Sequence, residues 1–368
     1  MLRIATSTPP SWACAPRASP RIPKSRPRTG VRRVCKRSEM TGGTMHRRLL
    51  LGTSATLLLV PAVLRAQAWP SQPVRLVVAF PPGGPTDVYG RLFGERLARA
   101  LGQPVVIENK AGAAGTIGTL GVARAKPDGY TLVFGTGSTQ ALYASMAAKP
   151  EYDVVKDFTY IAHLGGGPAA FVGNLAQPDT LKGLLDAARA KPGALSYGSP
   201  GTGTLLHLTT ERLKAAAGGA PITHVPYRGS GPAMNDLLAG QLAMVTTTLG
   251  SALPFHSSGK ARLLAVATDR RTALAPDVPT VSETLGGQPF EAVLWHCLAG
   301  PAGLPPEVVA KLAAATRETM ADAALVKALA EQGIVPVIDS TPEATAAFVR
   351  AEAERWAPIV KAADVKME

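Results

Sequence analysis

Cysteine is nearly absent from this 368-residue chain: it has three, at Cys14, Cys35 and Cys297. The first two fall in an N-terminal leader that reads as separate from the body. Cys297 therefore stands alone in the remainder. No internal disulfide and no metal site built on cysteine pairs can form there. A body without disulfides must rely on its core, and roughly 300 residues suffice to bury a large one, in two domains.

Acidic residues are just as scarce in the leader. Residues 1–68 hold 13 Lys/Arg and a single acid, Glu39, against 39 basic and 26 acidic residues and a net charge of +13 for the whole chain. Residues 69–368 therefore keep 26 basic and 25 acidic residues, a net of +1. The basic excess that would suggest nucleic acid belongs to the leader. The body is nearly neutral and shows no basic stripe, so no nucleic-acid partner is expected.

Several signatures of chemistry are also missing. The loop at 83–90 lacks the lysine of G-x-x-x-x-G-K-[ST], so it cannot clamp a terminal phosphate in that way. The glycines of 111–121 do not follow G-x-G-x-x-G. Around Ser199 the text is Gly198-Ser199-Pro200-Gly201, which fails the G-x-S-x-G of a hydrolase elbow. His163, His224, His256 and His296 show no metal-ligand spacing. No catalytic residue, metal or cofactor is assigned.

What is present begins with the leader. Residues 1–44 are rich in Pro, Arg, Ser and Thr without apolar periodicity, and are expected to be disordered or a misassigned N-terminal extension. From Met45 the text becomes MHRRLLLGTSATLLLVPAVLRAQA. A basic pair (Arg47, Arg48), an apolar run over 49–64 and the pattern Ala66-Gln67-Ala68 predict a cleaved signal peptide over 45–68 and a periplasmic location. Met45 is then the expected start. The apolar run is short for a membrane span. The arginine pair leaves both general and twin-arginine export open.

In the body, short apolar runs alternate with helical text. VRLVVAF (74–80), VVIEN (105–109), TLVFGT (131–136) and YIAHLG (160–165) read as strands, as do 194–199, 222–227, 242–248 and 261–268. Between the first two, Leu92, Phe93, Leu97 and Leu101 share one helical face, and Arg91, Glu95, Arg96 and Arg99 the other. The C-terminus reads as helices over 305–320 and 323–332, then a helix capped by Thr341 with Pro342 at its first position. The alternation predicts an α/β fold with mainly parallel sheets.

One pattern occurs twice. LVVAFPPGGPTDVYGRLFGERLARALG (76–102) and LSYGSPGTGTLLHLTTERLKAAAG (195–218) each run strand, Gly-Pro loop, helix. Ligands of α/β sheets bind beyond the carboxyl ends of strands, against helix N-termini. Two such ends facing each other would clamp an anion. Asp87, in a first turn, either complements the helix dipole or orients the loop. His207 reads as a structural donor or a ligand contact rather than a base. Tyr227 and Arg228 lie within reach of a cleft, where Arg228 either pairs with a carboxylate or is solvated.

These residues carry a family resemblance. WPSQPVRLVVAFPPGGPTD, GQPVVIENKAGAAGTIG, KPDGYTLVFGT, YGSPGTGTLLH, HVPYRGSGPAMNDLLAGQ, SGKARLLAVAT, LAPDVPTVSE and LAGPAGLP occur in family order. From Trp69 onward the chain resembles the solute-binding receptors of tripartite tricarboxylate transporters, the Bug-type periplasmic proteins. The resemblance implies a two-lobed type II periplasmic-binding-protein fold, a clamshell with crossovers near 166–171 and 291–296. Lobe 1 would comprise 69–168 plus 294–368, and lobe 2 169–293. It implies a small carboxylate held by Phe80, Pro82, Gly83, Gly84, Thr86 and Asp87, with Thr136, Ser138 and Thr139 after a neighbouring strand. The opposite loop would supply Ser199, Gly201, Thr202, Gly203 and Thr204 with His207; Tyr227 and Thr247 complete the set. Membrane permease subunits are the implied partners, and a monomer is expected. A sensor accessory and a periplasmic enzyme are the alternatives.

The chain departs from the family pattern in places. Pro85 stands where the family often has Gly or Ser, and removes one N–H donor. Thr247 stands where an Asp is frequent, and Trp295 and His296 replace other aromatics. These departures bear on which acid is bound.

Overall fold

The computed structural model describes residues 69–367. The expected signal peptide and the extension before it lie outside the described residues. The chain opens with β1 (Val74–Val78), α1 (Pro85–Leu101), β2 (Val105–Asn109), α2 (Thr116–Ala123), β3 (Thr131–Thr136) and α3 (Tyr143–Met146). β4 (Phe158–Gly173) then leads to α4 (Leu181–Ala190), β5 (Ser196–Ser199), α5 (Leu205–Ala216) and β6 (Thr223–Pro226). α6 (Ser230–Leu238), β7 (Met244–Thr248), α7 (Leu249–Ser257), β8 (Arg262–Val266) and α8 (Val281–Thr284) follow. β9 (Val293–Pro301) precedes α9 (Pro306–Met320), α10 (Ala323–Glu331), β10 (Val335–Pro336) and α11 (Pro342–Ala362).

The strands run in the order β2-β1-β3-β9-β4-β7-β5-β6, with β8 and β10 also paired to β4. β1 is parallel to β2 and β3, and β5 is parallel to β6 and β7. Parallel strands covered on both faces read as continuous apolar runs, and β3 is buried at every residue. β4 and β9 are the exceptions to the parallel pattern. They lie antiparallel from Phe158↔Pro301 to Pro168↔Val293. β9 then joins β3, while Ala169 to Gly173 of β4 join β7 on one register and β8 on another. The chain thus passes between the two half-sheets twice, and the architecture is the α/β clamshell with two crossovers.

β4 is 16 residues long, far longer than the run 160–165 that reads as a strand. Its middle is Gly165-Gly166-Gly167-Pro168, ordinarily a breaker. Crowding explains the glycines. A Cβ on Gly165, which has φ +83°, would lie 2.0 Å from the Val335 carbonyl oxygen of β10, and one on Gly166 would lie 2.4 Å from the Leu294 oxygen of β9. Only a residue without a side chain lets three backbones approach so closely.

Each lobe has its own core. Val74, Leu76, Phe93, Leu97, Phe134 and Leu298 centre the first, and Phe171, Tyr197, Leu205, Leu208 and Leu264 the second. α11 begins as expected: Thr341 Oγ1 accepts from the Ala344 amide, with Pro342 at the first position. It serves both sides. Val349 packs with Trp295 and Tyr160, whereas Trp356 and Val360 join the second-lobe core. Trp356 is fully buried, so Trp356→Ala should lower unfolding free energy by about 3–5 kcal/mol. Urea denaturation followed by circular dichroism measures that loss.

Candidate ligand-binding site

Three helices begin at the same place. The N-caps of α1 (Gly84), α5 (Thr204) and α6 (Gly229) all line one cavity of about 470 Å³, counted with its mouth. Phe80, Pro81, Pro82, Pro85, Pro200, Leu206, Pro232 and Leu294 supply its apolar walls. Thr86, Ser138, Ser230 and Gly231 complete it. Among the described residues, no charged side chain faces it.

The first amides of a helix have no partner within the helix. Two are used here to join the lobes and cap α5. The Leu205 amide donates to Ser138 Oγ at 3.0 Å, and the His207 amide to Thr204 Oγ1 at 3.3 Å. Among the described residues, the cavity-lining amides of Thr86, Leu206, Ser230 and Gly231 find no backbone acceptor. Ser230 Oγ is buried and also lacks a partner. Each helix N-terminus carries roughly half a positive charge from its dipole. A cavity with unspent donors and three positive dipole ends suits a carboxylate and rejects a cation.

The first loop is held from behind. Asp87 is 3 % exposed. Its Oδ2 accepts from the Gly83 amide at 2.9 Å and from Arg91 Nε at 2.9 Å, and its Oδ1 accepts from Asn109 Nδ2 at 2.8 Å. Asn109 also donates to the Phe80 carbonyl at 3.0 Å. Burial pushes the Asp87 carboxyl up, but donation from Arg91, Gly83 and Asn109 outweighs it and holds the group below the usual range. Gly83, at φ +79°, makes the turn. Asp87 thus consumes the Gly83 amide and shapes the loop from the side away from the cavity.

The second loop rests on two stacked imidazoles. The His207 and His224 ring centroids are 3.9 Å apart. His207 Nδ1 accepts from the Gly203 amide at 3.1 Å, and His224 Nε2 meets Ser199 Oγ at 2.7 Å. Ser199 Oγ also accepts from the Gly201 amide at 3.2 Å. Burial lowers His207 to about 4; burial and then the neighbouring His207 lower His224 to about 3. Ser199 and His224 have the chemistry of a nucleophile and base, yet Ser199 is wholly buried. The pair braces the loop.

The residues expected at the site fall into three groups. Phe80, Pro82, Gly84, Thr86, Ser138 and Thr204 line the cavity. Gly201, Thr202 and Tyr227 line a larger neighbouring chamber that Phe80 shares. Gly83, Asp87, Thr136, Thr139, Ser199, Gly203, His207 and Thr247 line neither. Thr139 Oγ1 accepts from the Thr136 amide at 3.2 Å, Tyr227 Oη donates to Asp236 at 2.6 Å, and Thr247 Oγ1 is buried in β7 without a partner. Thr86 Oγ1 lies 3.3 Å from Nε2 of His296, on crossing strand β9. The N-terminus of α6, with Ser230, escaped sequence reasoning. The signal was there: HVPYRGSGPAMNDLL is a third strand–glycine–helix turn.

Two α/β lobes joined by two crossing strands, with a cavity of helix N-termini, define a solute-binding protein of the type II periplasmic kind. The chain belongs to the tripartite tricarboxylate transporter family receptors, whose pattern matches residues 90–365. It is similar to Protein BugT of Bordetella pertussis, with 36% identity over 311 residues, 84% of this chain and 94% of BugT. The structure of the periplasmic binding protein BugD superposes with a TM-score of 0.78 at 33% identity, covering 82% of this chain and 100% of BugD. R. palustris Rpa4515, solved with adipate, gives a TM-score of 0.76 at 32% identity, over 81% of this chain and 99% of that one.

Two outcomes follow from the loops. Asp87→Ala strands the Gly83 amide and the Asn109 amide group, and should cost about 1–3 kcal/mol in chemical denaturation. The histidines add a pH dependence. With folded values near 4 for His207 and 3 for His224, below an unfolded value of about 6.5, the unfolded state binds more protons in between. Stability should be full above about pH 6.5 and fall toward pH 4, at up to about 1.4 kcal/mol per pH unit for each histidine. Urea midpoints at pH 7 and pH 5 measure the loss.

Proposed function

We propose that this protein is a periplasmic receptor that captures a small organic acid between its lobes and delivers it to the membrane subunits of a tripartite permease. Residues 69–168 with 294–368 form one lobe and 169–293 the other. Residues 45–68 act as the export signal and are removed. The observation that carries this reading is the cavity where α1, α5 and α6 begin, with its unspent amides and the unpartnered Ser230 hydroxyl. The adipate bound by Rpa4515 supports the ligand class. No residue is assigned to catalysis.

The hydrogen bond from the Leu205 amide to Ser138 Oγ runs between the two proposed lobes and is a contact that closure would make. A guest whose carboxylate contacts all three helix N-termini binds the closed form better than the open one, and so shifts the population toward it. Micromolar affinity corresponds to about −8 kcal/mol, within reach of several charge-assisted hydrogen bonds. The closed form then docks on the permease and releases the acid.

Calorimetric titration of the purified chain, unfolded and refolded to strip any guest, tests this against a panel of carboxylates. One acid should saturate near 1:1 without turnover. Ser230→Ala should weaken it about tenfold, the worth of one hydrogen bond to a charged group. Folded protein that takes up no acid, or binds equally well without the Ser230 hydroxyl, contradicts the site.

A further inference from the structure

Five methionines lie among the described residues. Met146, Met234, Met244 and Met320 are buried, none more than 3 % exposed. Met367 is only partly buried, on the wall of the larger chamber, which occupies about 1610 Å³ with its mouth. A thioether sealed in a core is shielded from dissolved oxidants, and one on a chamber wall is not.

Met367 is also where one short segment meets both sides of the molecule. α11 ends at Ala362, and Asp364, at φ +47°, turns the chain out of the helix. The Met367 amide then donates to the Met146 carbonyl at 3.1 Å, at the end of α3, and Met367 pairs with Ala147 in a parallel bridge. Its side chain packs against the second-lobe core and against the cluster that holds Tyr160, Trp295 and Val349. Its sulfur reaches the second loop. A Cβ on Gly203, at φ +80°, would lie 3.0 Å from Met367 Sδ and 3.1 Å from Met146 Sδ. Two sulfurs, one from α3 and one from the segment after α11, thus cover Gly203. That glycine donates its amide to His207 and precedes Thr204, the N-cap of α5 at the cavity.

We propose that Met367 is a redox-sensitive fastener of the second loop, with a dissolved peroxide as its oxidant. The sulfur lone pair attacks one peroxide oxygen. An S–O bond forms, the O–O bond breaks, and the proton of the transferred oxygen passes to the departing hydroxide to give water. Sulfur is oxidised by two electrons and the peroxide is reduced by two. The sulfoxide is polar where the thioether was apolar. The amides of Gly203 and Met367 are already spent on His207 and Met146, so the new oxygen finds neither as a donor. A polar oxygen without a partner turns toward water, and it lifts residues 364–367 off Met146 and Gly203. The second loop then loses its cover. Reduction of the sulfoxide by a methionine sulfoxide reductase restores it. This control goes beyond the capture of an acid and does not depend on it.

The test treats the purified protein with hydrogen peroxide and maps sulfoxide by peptide mass spectrometry. Met367 should oxidise before the buried methionines. In the singly oxidised protein, the amides of 143–147 and 199–207 should exchange with deuterium roughly tenfold faster, while those of β1, β2 and β3 keep their rates. Met367→Gln, polar without peroxide, should match the oxidised protein. Met367→Leu, apolar and similar in size, should keep slow exchange with or without peroxide. Oxidation of a buried methionine ahead of Met367, unchanged exchange in the sulfoxide, or peroxide-induced exchange in Met367→Leu overturns the proposal.

Discussion

The antiparallel contact of β4 with β9 is where the two lobes are made one molecule, and every other relationship hangs from it. Both strands cross between the half-sheets side by side, from Phe158↔Pro301 to Pro168↔Val293. The contact needs Gly165 and Gly166, because β10 and β9 approach their Cα atoms too closely for any side chain. α11 adds a second tie: Val349 packs on one core and Trp356 and Val360 on the other. Two crossing strands and one straddling helix are the segments at which domain closure about a hinge would bend.

Because the strands of each lobe are largely parallel, their carboxyl ends point the same way and their following helices start on the same side. The crossing strands turn those two sides toward each other. That geometry, rather than any single side chain, makes the site electropositive. The side chains act indirectly. Asp87, Asn109 and Arg91 hold one loop from behind. The stacked imidazoles of His207 and His224 hold the other, by accepting the Gly203 amide and meeting the Ser199 hydroxyl. His296 on β9 reaches Thr86 at the start of α1, so a hinge strand touches the site itself.

Much of this was legible in the residues. The strand runs at 74–80, 105–109 and 131–136 appear as β1, β2 and β3, and the caps of α11 sit where Thr341 and Pro342 place them. Local patterns of this kind are visible because strand and helix periodicity is written in neighbouring residues. β4 was legible only in part, since its Gly-Gly-Gly-Pro centre looks like a breaker until β9 and β10 are placed beside it. The site divided the same way. Phe80, Thr86, Ser138 and Thr204 face the cavity, while Asp87 and His207 support the loops. The turn of the Asp87 side chain depends on Asn109, 22 residues away, as well as on its neighbours Gly83 and Arg91.

By itself, then, the sequence determined the α/β alternation, the Gly-Pro loops at the starts of helices and the family to which the chain belongs, because each is a short-range pattern. Only the tertiary structure decided that the start of α6, with Ser230, joins those of α1 and α5, and that Arg228, without a side-chain partner among the described residues, lines the neighbouring chamber. Both facts depend on bringing together loops more than a hundred residues apart. No local pattern encodes that convergence; the crossing of β4 and β9 produces it.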